Sequence, residues 1–322
     1  MDVPVEPERI SMLDSFAGEL AVMIGAGSKL VGVPGGVASD VILCGLYPGL
    51  SDVSAPMTSG SLNMEEFMAK APQVAVVKRD LYETDGQAAQ LDASNVPYVV
   101  VGYENMEQQI AMMRMVGAVC GGEAQTRAEA LASLYEDVIA ECARRTGDLA
   151  EADKVRVYHA INALTMTDGA TSVGADWVKA AGCIDVSTEH PELATTTDYT
   201  TTLEQIFDWD PDVFVCNSAD TTDYLLTKDN CAGLRAVRAE RCYTIPVGAT
   251  RWGQRGSVET YLAMLWLGVT VYPERYADFD LKDYVVTYYR DYLGVEVTDE
   301  IYDLMLSGRG LRKASKEATG QK

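Results

Sequence analysis

Two stretches decide how this chain folds: Asn63-Met-Glu-Glu-Phe-Met-Ala-Lys-Ala-Pro-Gln-Val-Ala-Val-Val77 and Thr202-Leu-Glu-Gln-Ile-Phe-Asp-Trp-Asp-Pro-Asp-Val-Phe-Val-Cys216. Each continues through about two helical turns, meets a proline, and ends in an apolar run suited to a buried strand. Superposed, they set Glu65 on Glu204 and Pro72 on Pro211, both at an offset of 139 residues. The chain therefore carries one helix–proline–strand unit twice.

The same alternation extends outward from both copies. Before the first, Arg9 to Leu13 and Lys29 to Val33 read as strands around a helix from Ser15 to Ala26 that Ser15 caps. After it come a strand at Gln73 to Val77, a helix at Thr84 to Asp92 and a strand at Pro97 to Val101. Around the second copy the pattern predicts strands at Val155 to Ala160, Val213 to Cys216 and Cys242 to Val247. Helices are expected at Ser172 to Ala181, Thr202 to Trp209, Thr221 to Lys228 and Ser257 to Val271. Strands separated by helices imply α/β lobes with mostly parallel sheets.

Between the copies, Glu123 to Thr146 has apolar residues at helical spacing and neither Gly nor Pro, so it predicts one helix of about 24 residues and ~36 Å. Two Rossmann-like lobes, 1–122 and 151–308, are expected on either side of a backbone helix at 123–150. A polar tail at 309–322 follows. Tyr284, Tyr288 and Tyr292 recur at i, i+4 and i+8 and predict a stripe packed on a core.

Composition removes several functions. The 322 residues hold 48 acidic against 26 basic side chains, a formal charge of −22, which argues against a nucleic-acid binder. The longest apolar run, Tyr261 to Tyr272, falls short of the ~18–20 residues that span a bilayer. Seven cysteines include no Cys-x-x-Cys pair, and two histidines, His159 and His190, form no zinc motif. Cys231 and Cys242 flank a helix-like stretch and are a disulfide option in an exported chain. Neither a Gly-x-Ser-x-Gly elbow nor a Gly-Lys-Ser/Thr phosphate loop is present. Gly25 and Gly27 do not form a dinucleotide fingerprint, because the order there is helix then strand; they read as a helix end and turn.

Ligands of open α/β sheets bind beyond the carboxyl ends of the strands, so two facing lobes would pool their strand-end loops in one cleft. The first lobe offers Asp14, Gly35, Gly36, Lys78, Arg79 and Tyr103; the second offers His159, Asn162, Asn217, Ser218, Asp220, Arg251 and Trp252. This is a binding inventory without a nucleophile–base pair. Arg79 reads either as a partner for an anionic ligand or as half of an ion pair, and His159 as a ligand contact or a strand-end hydrogen bond. Asp14 reads as a helix cap. Arg251-Trp252 joins a planar cation to an aromatic face, a combination suited to an anion. A rival enzymatic reading has only Cys183 and His159 as seeds.

In its ordered motifs the chain resembles ABC-transporter substrate-binding proteins of the ferric-siderophore and cobalamin type. The resemblance rests on Pro7-Glu-Arg-Ile10, Gly25-Ala-Gly-Ser-Lys-Leu-Val-Gly-Val33, Tyr47-Pro-Gly-Leu-Ser-Asp-Val53, Trp209-Asp-Pro-Asp-Val213, Trp252-Gly-Gln-Arg-Gly-Ser-Val-Glu259, Leu265-Trp-Leu267 and Tyr272-Pro-Glu274, and spans nearly the whole sequence. It implies a monomeric receptor, not an enzyme and without a resident cofactor. Such a receptor works outside the cytoplasm, as a lipoprotein or free in the periplasm, with its signal segment absent from this sequence. It would capture a metal chelate, foremost a ferric siderophore, and pass it to an ABC-transporter permease dimer. Haem, a corrinoid, and molybdate or tungstate are the alternatives within the class. The family's docking carboxylates, one per lobe, fall on Glu65 and Glu204.

Overall fold

A computed structural model of the protein describes residues 4–58, 60–189 and 198–309. His190 and the expected tail beyond Arg309 lie outside the described residues. The chain divides into two compact units. The first comprises Met1–Tyr103, Glu107–Leu134 and Tyr292–Gly294; the second comprises Glu104–Met106, Tyr135–Asp291 and Val295–Lys322. The long helix runs over Gly122–Thr146, and the division falls inside it, between Leu134 and Tyr135, rather than at its ends.

In the first unit, strands β1 (Ile10–Leu13) and β2 (Leu30–Gly32) are followed by a small hairpin of β3 (Met57–Thr58) and β4 (Ser61–Leu62). Strands β5 (Val74–Lys78) and β6 (Tyr98–Val101) complete a four-stranded parallel sheet of order β2-β1-β5-β6. Val74 to Val77 are all fully buried, which is why this strand reads as a continuous apolar run rather than an alternating one. Leu13, Phe67, Ala75, Val77, Leu81 and Leu91 form the core on one face.

The helix Ser15–Met23 is capped by Asp14, whose carboxylate accepts from the Ala17 N–H at 2.9 Å; Ser15 is its first residue and not its cap. Burial pushes the Asp14 carboxyl above its ordinary value. Gly25, at φ +85°, ends the helix as its position suggested. Between β6 and the long helix lies a helix that the sequence pattern does not predict, Met106–Cys120. Gly117 on it meets Ala128 so closely that a Cβ there would collide with the alanine side chain. Gly121 and Gly122, both at positive φ, make the break between the two helices.

The second unit is built on β7 (Arg156–Ala160), β8 (Met166–Asp168), β9 (Ile184–Asp185), β10 (Asp198–Thr200), β11 (Val213–Cys216) and β12 (Cys242–Thr244). Their order is β10-β8-β7-β11-β12, with β9 also along β7; β9, β7, β11 and β12 are parallel, and β8 pairs antiparallel with both its neighbours. β12 stops at Thr244, three residues short of expectation. Cys231 and Cys242 are free thiols sharing a core cluster with Tyr158, Trp209 and Phe214, not a cross-link.

Helix Thr260–Val271 is apolar on every side and almost wholly buried, as such a helix must be. Tyr288 and Tyr284 pack on Tyr261 and Phe279, with ring centroids 5.4 and 5.6 Å apart, in agreement with the predicted stripe. At the end of the long helix, buried Arg145 bonds Glu141 at 2.7 Å and lies 4.7 Å over the Tyr276 ring. Arg144 and Arg145 together hold the Glu141 carboxyl down at about 2. No helix among the described residues is long and apolar enough to cross a membrane.

Candidate functional site

Because the four strands of the first sheet are parallel, their carboxyl ends share one edge, and the candidate residues of that unit collect there. Gly35 and Gly36 are exposed and open a four-residue helix, Gly35–Ala38, where a loop was expected. The first N–H groups of a helical turn have no partner within it, so this turn can offer backbone donors. A Cβ on Gly36 would meet nothing within 4 Å, so packing does not require glycine there. Arg79 begins the turn after β5 and lies across Gly102, its Cζ 3.0 Å from where a Cβ would stand. Tyr103, after β6, is buried against Phe16 at a centroid distance of 5.2 Å. Arg79 and Tyr103 thus leave adjacent strands, whereas Gly35 and Gly36 leave β2 at the far side of the sheet.

The second unit brings His159, Asn217, Ser218, Arg251 and Trp252 to the carboxyl edge of β7, β11 and β12. His159 is 2% exposed: its Nδ1 lies 2.6 Å from Asp168 Oδ2 and its Nε2 2.9 Å from Asn217 Oδ1. Two acceptor oxygens facing one ring favour the doubly protonated imidazolium. Burial opposes that charge, yet Asp168 and Asn217 outweigh it and raise the His159 pKa. Asp168 also accepts from Ser172 Oγ at 2.9 Å, and its backbone carbonyl accepts from Ser187 Oγ. Ser187 Oγ also lies 2.6 Å from Asp185 Oδ1. Burial, with Asp168 adding, pushes the Asp185 carboxyl up to about 7. Both ring nitrogens of His159 are engaged inside the unit, so in this arrangement it faces no solvent.

Ser218 caps the helix Ala219–Thr227, accepting from the Asp220 N–H at 3.2 Å. Arg251 is half-buried and Trp252 fully buried, so the expected pair divides: the guanidinium bonds Gln254 Oε1 at 3.2 Å while the indole lies under the loop. Two supports hold this loop. Glu259, 0% exposed, accepts from Thr250 N at 2.6 Å, from Thr250 Oγ1 at 2.8 Å and from the Tyr289 hydroxyl, which itself accepts from Ala249 N at 2.7 Å. Trp177 donates to the Gly253 carbonyl at 3.2 Å and stands edge-on to His159 at 5.3 Å.

Glu259, Tyr289, Trp177 and Asp168 were missed in the sequence. One signal was available for Glu259: a lone acid opening an all-apolar helix must be buried, and then needs donors. Cys183, the other seed of an enzymatic reading, is buried, and burial pushes its thiol up to about 12, which leaves almost no thiolate at neutral pH. Among the described residues no group of three or more His, Cys, Asp and Glu could hold a metal ion.

A pocket of about 570 Å³ elsewhere in the second unit is lined by Glu104, Lys154, Asp176, Lys179, Asp185 and Glu189, among others. It contains none of the strand-end candidates, and its acids outnumber its cations. The strand edges carry the better case for an anionic ligand, because each has a cation of its own, Arg79 in the first unit and Arg251 in the second.

The chain belongs to the periplasmic binding protein family, whose profile matches residues 10–247. It is 23% identical over 320 residues to the molybdate-binding protein MolA of Haemophilus influenzae, covering 90% of this chain and 87% of that one. The structure of MolA bound to molybdate superposes with a TM-score of 0.79 at 22% identity, over 92% of this chain and 96% of that one. A periplasmic solute binding protein from Veillonella parvula gives a TM-score of 0.77 at 23% identity, over 95% and 93%. The protein is the substrate-binding component of an ABC importer and not an enzyme, and its family places it outside the cytoplasm.

Proposed function

We propose that this receptor binds a small tetrahedral oxyanion of the molybdate and tungstate type, with Arg251 as an anion contact in the second unit. The observation that carries the choice is the likeness, over nearly the full chain, to a protein named for molybdate and solved with it bound. The braced loop around Arg251 supports it, since a preorganised guanidinium loses little freedom when an anion arrives. A ferric siderophore, the ligand implied by the sequence resemblance, is the reading this one displaces.

Thermal shifts with molybdate, tungstate, sulfate, ferric siderophores and haemin test it. A ligand at a hundred times its dissociation constant adds about 2.7 kcal/mol, a rise of several degrees in melting temperature for a protein of this size. Molybdate or tungstate should produce that rise, and Arg251→Ala should weaken binding about tenfold or more, as expected for a charged hydrogen bond. A shift with a siderophore or haemin and none with either oxyanion would sink the proposal.

We further propose that Glu65 and Glu204 dock the receptor on its permease. Both are exposed in the first turns of the equivalent helices Met64–Ala69 and Leu203–Trp209. Glu65→Ala combined with Glu204→Ala should leave ligand affinity intact and abolish uptake in reconstituted transporter. Undiminished uptake would remove the assignment.

A further inference from the structure

The two docking helices match in more than their glutamates. Asn63 and Thr202 are both capping residues, accepting from the N–H groups of Glu66 and Gln205 respectively. Over the six positions from each cap the exposure runs closely in step, with the glutamate exposed in both units and Phe67 or Ile206 buried two residues later. The sixth position is exposed in both units, and in both it is a large apolar side chain: Met68, 42% exposed, and Phe207, 37% exposed.

Scattered exposed hydrophobic residues are ordinary on protein surfaces and need no explanation singly. Here the described residues include six large ones, and two of them occupy the same position of the internal repeat. That position is three residues after the glutamate, so each apolar side chain is the glutamate's neighbour on one helix face. The adjacent acid is engaged elsewhere in the first unit, where Glu66 accepts from Ser54 Oγ at 2.6 Å. In both units the outward face thus carries the glutamate with one apolar group beside it; the second unit adds exposed Asp208 one turn after Glu204, where the first has Ala69.

Resting on the docking assignment above, we infer that Glu65 with Met68, and Glu204 with Phe207, are two copies of one composite docking surface, whose partner is a permease presenting twice the same socket, a cation beside an apolar hollow. The carboxylate selects the cation and steers the encounter. The apolar side chain, excluded from water on contact, holds the complex once formed and makes it less sensitive to salt than ion pairing alone.

The test is docking of the ligand-loaded protein to its own permease–ATPase complex in phosphatidylethanolamine–phosphatidylglycerol vesicles, with the same vesicles lacking the complex as control. Met68→Ser and Phe207→Ser should each weaken docking about tenfold, the scale of burying a side chain of this size. Ligand affinity and melting temperature should stay at wild-type values, and the residual docking should fall more steeply with salt. Wild-type docking in both variants overturns the composite surface, while a simultaneous loss in Glu65→Ala would leave the carboxylate assignment standing. No docking by the wild type itself would instead overturn the receptor–permease reading beneath it. Equal retention by vesicles without the complex would name lipid as the occupant. Concentration-dependent self-association in sedimentation, abolished by Phe207→Ser, would name a second copy of the chain. Either result overturns the permease socket.

Discussion

Replacing Glu259 with alanine should lower the melting temperature by about 4–5 °C or more, from a loss of roughly 3 kcal/mol or more. The carboxylate is completely buried and is the shared acceptor for Thr250 N, Thr250 Oγ1 and the Tyr289 hydroxyl. Its removal leaves those donors buried without their acceptor, and each unsatisfied group costs about 1–3 kcal/mol. The loop from Ala249 to Arg251 loses its anchor at the same time, so anion affinity should fall even though Glu259 lies out of reach of any ligand on the surface. Tyr289→Phe removes one donor to Glu259 and the acceptor of Ala249 N while sparing the Thr250 bonds, and should produce a smaller drop in both quantities. Scanning calorimetry and titration of the same samples read the two effects. A Glu259→Ala protein that melts within a degree or two of wild type would show that the cluster contributes little.

His159→Leu should be nearly as costly, about 3–5 kcal/mol, because it strands the buried Asp168 carboxylate without its cation. The same network gives stability a pH dependence whose sign follows from the two shifts. The folded pKa of His159 is raised, so its contribution is complete below the unfolded value near 6.5 and is lost as pH climbs through the folded one. Asp185 is raised from 3.8 to about 7, so burial favours its neutral form; that contribution is complete below 3.8 and disappears as pH rises through about 7. Both groups act in the same direction. Melting temperature should decline from about pH 4 to pH 7 through Asp185 and further above pH 6.5 through His159, and Asp185→Asn should flatten the part below pH 7. Identical pH slopes in the variant and the wild type would exclude Asp185 as a source.

Much of the architecture was legible because it rests on local rules. The prolines at 72 and 211 follow the helices in both copies, and β5 up to Val77 and β11 throughout are apolar because parallel strands are covered on both faces. The helix Met106–Cys120 escaped notice because its Met-rich sequence is apolar with little periodic contrast, and Gly117 within it lowers helix propensity. That glycine is explained only by Ala128 on the neighbouring helix, a contact between residues on different elements. Asp14 caps its helix as the sequence suggested, while Ser15, also read as a cap, is the first helical residue, a single residue of register that sequence patterns resolve poorly.

The candidate site was legible in its address more than in its roles. Strand order and parallel pairing place Arg79, Tyr103, His159, Ser218 and Arg251 at carboxyl edges, and the sequence alone determined that much through the repeat and its alternation of elements. Tertiary structure decided what each side chain does there. His159 and Arg251 are both polar residues beside a strand end in sequence, yet one has Asp168 and Asn217 closed around it and the other is half-buried at the surface. Periodicity follows from the backbone geometry of each element and is written locally. Burial and hydrogen-bond partnership depend on residues such as Asp168, Asn217, Glu259 and Tyr289, which the chain brings together only when the unit closes.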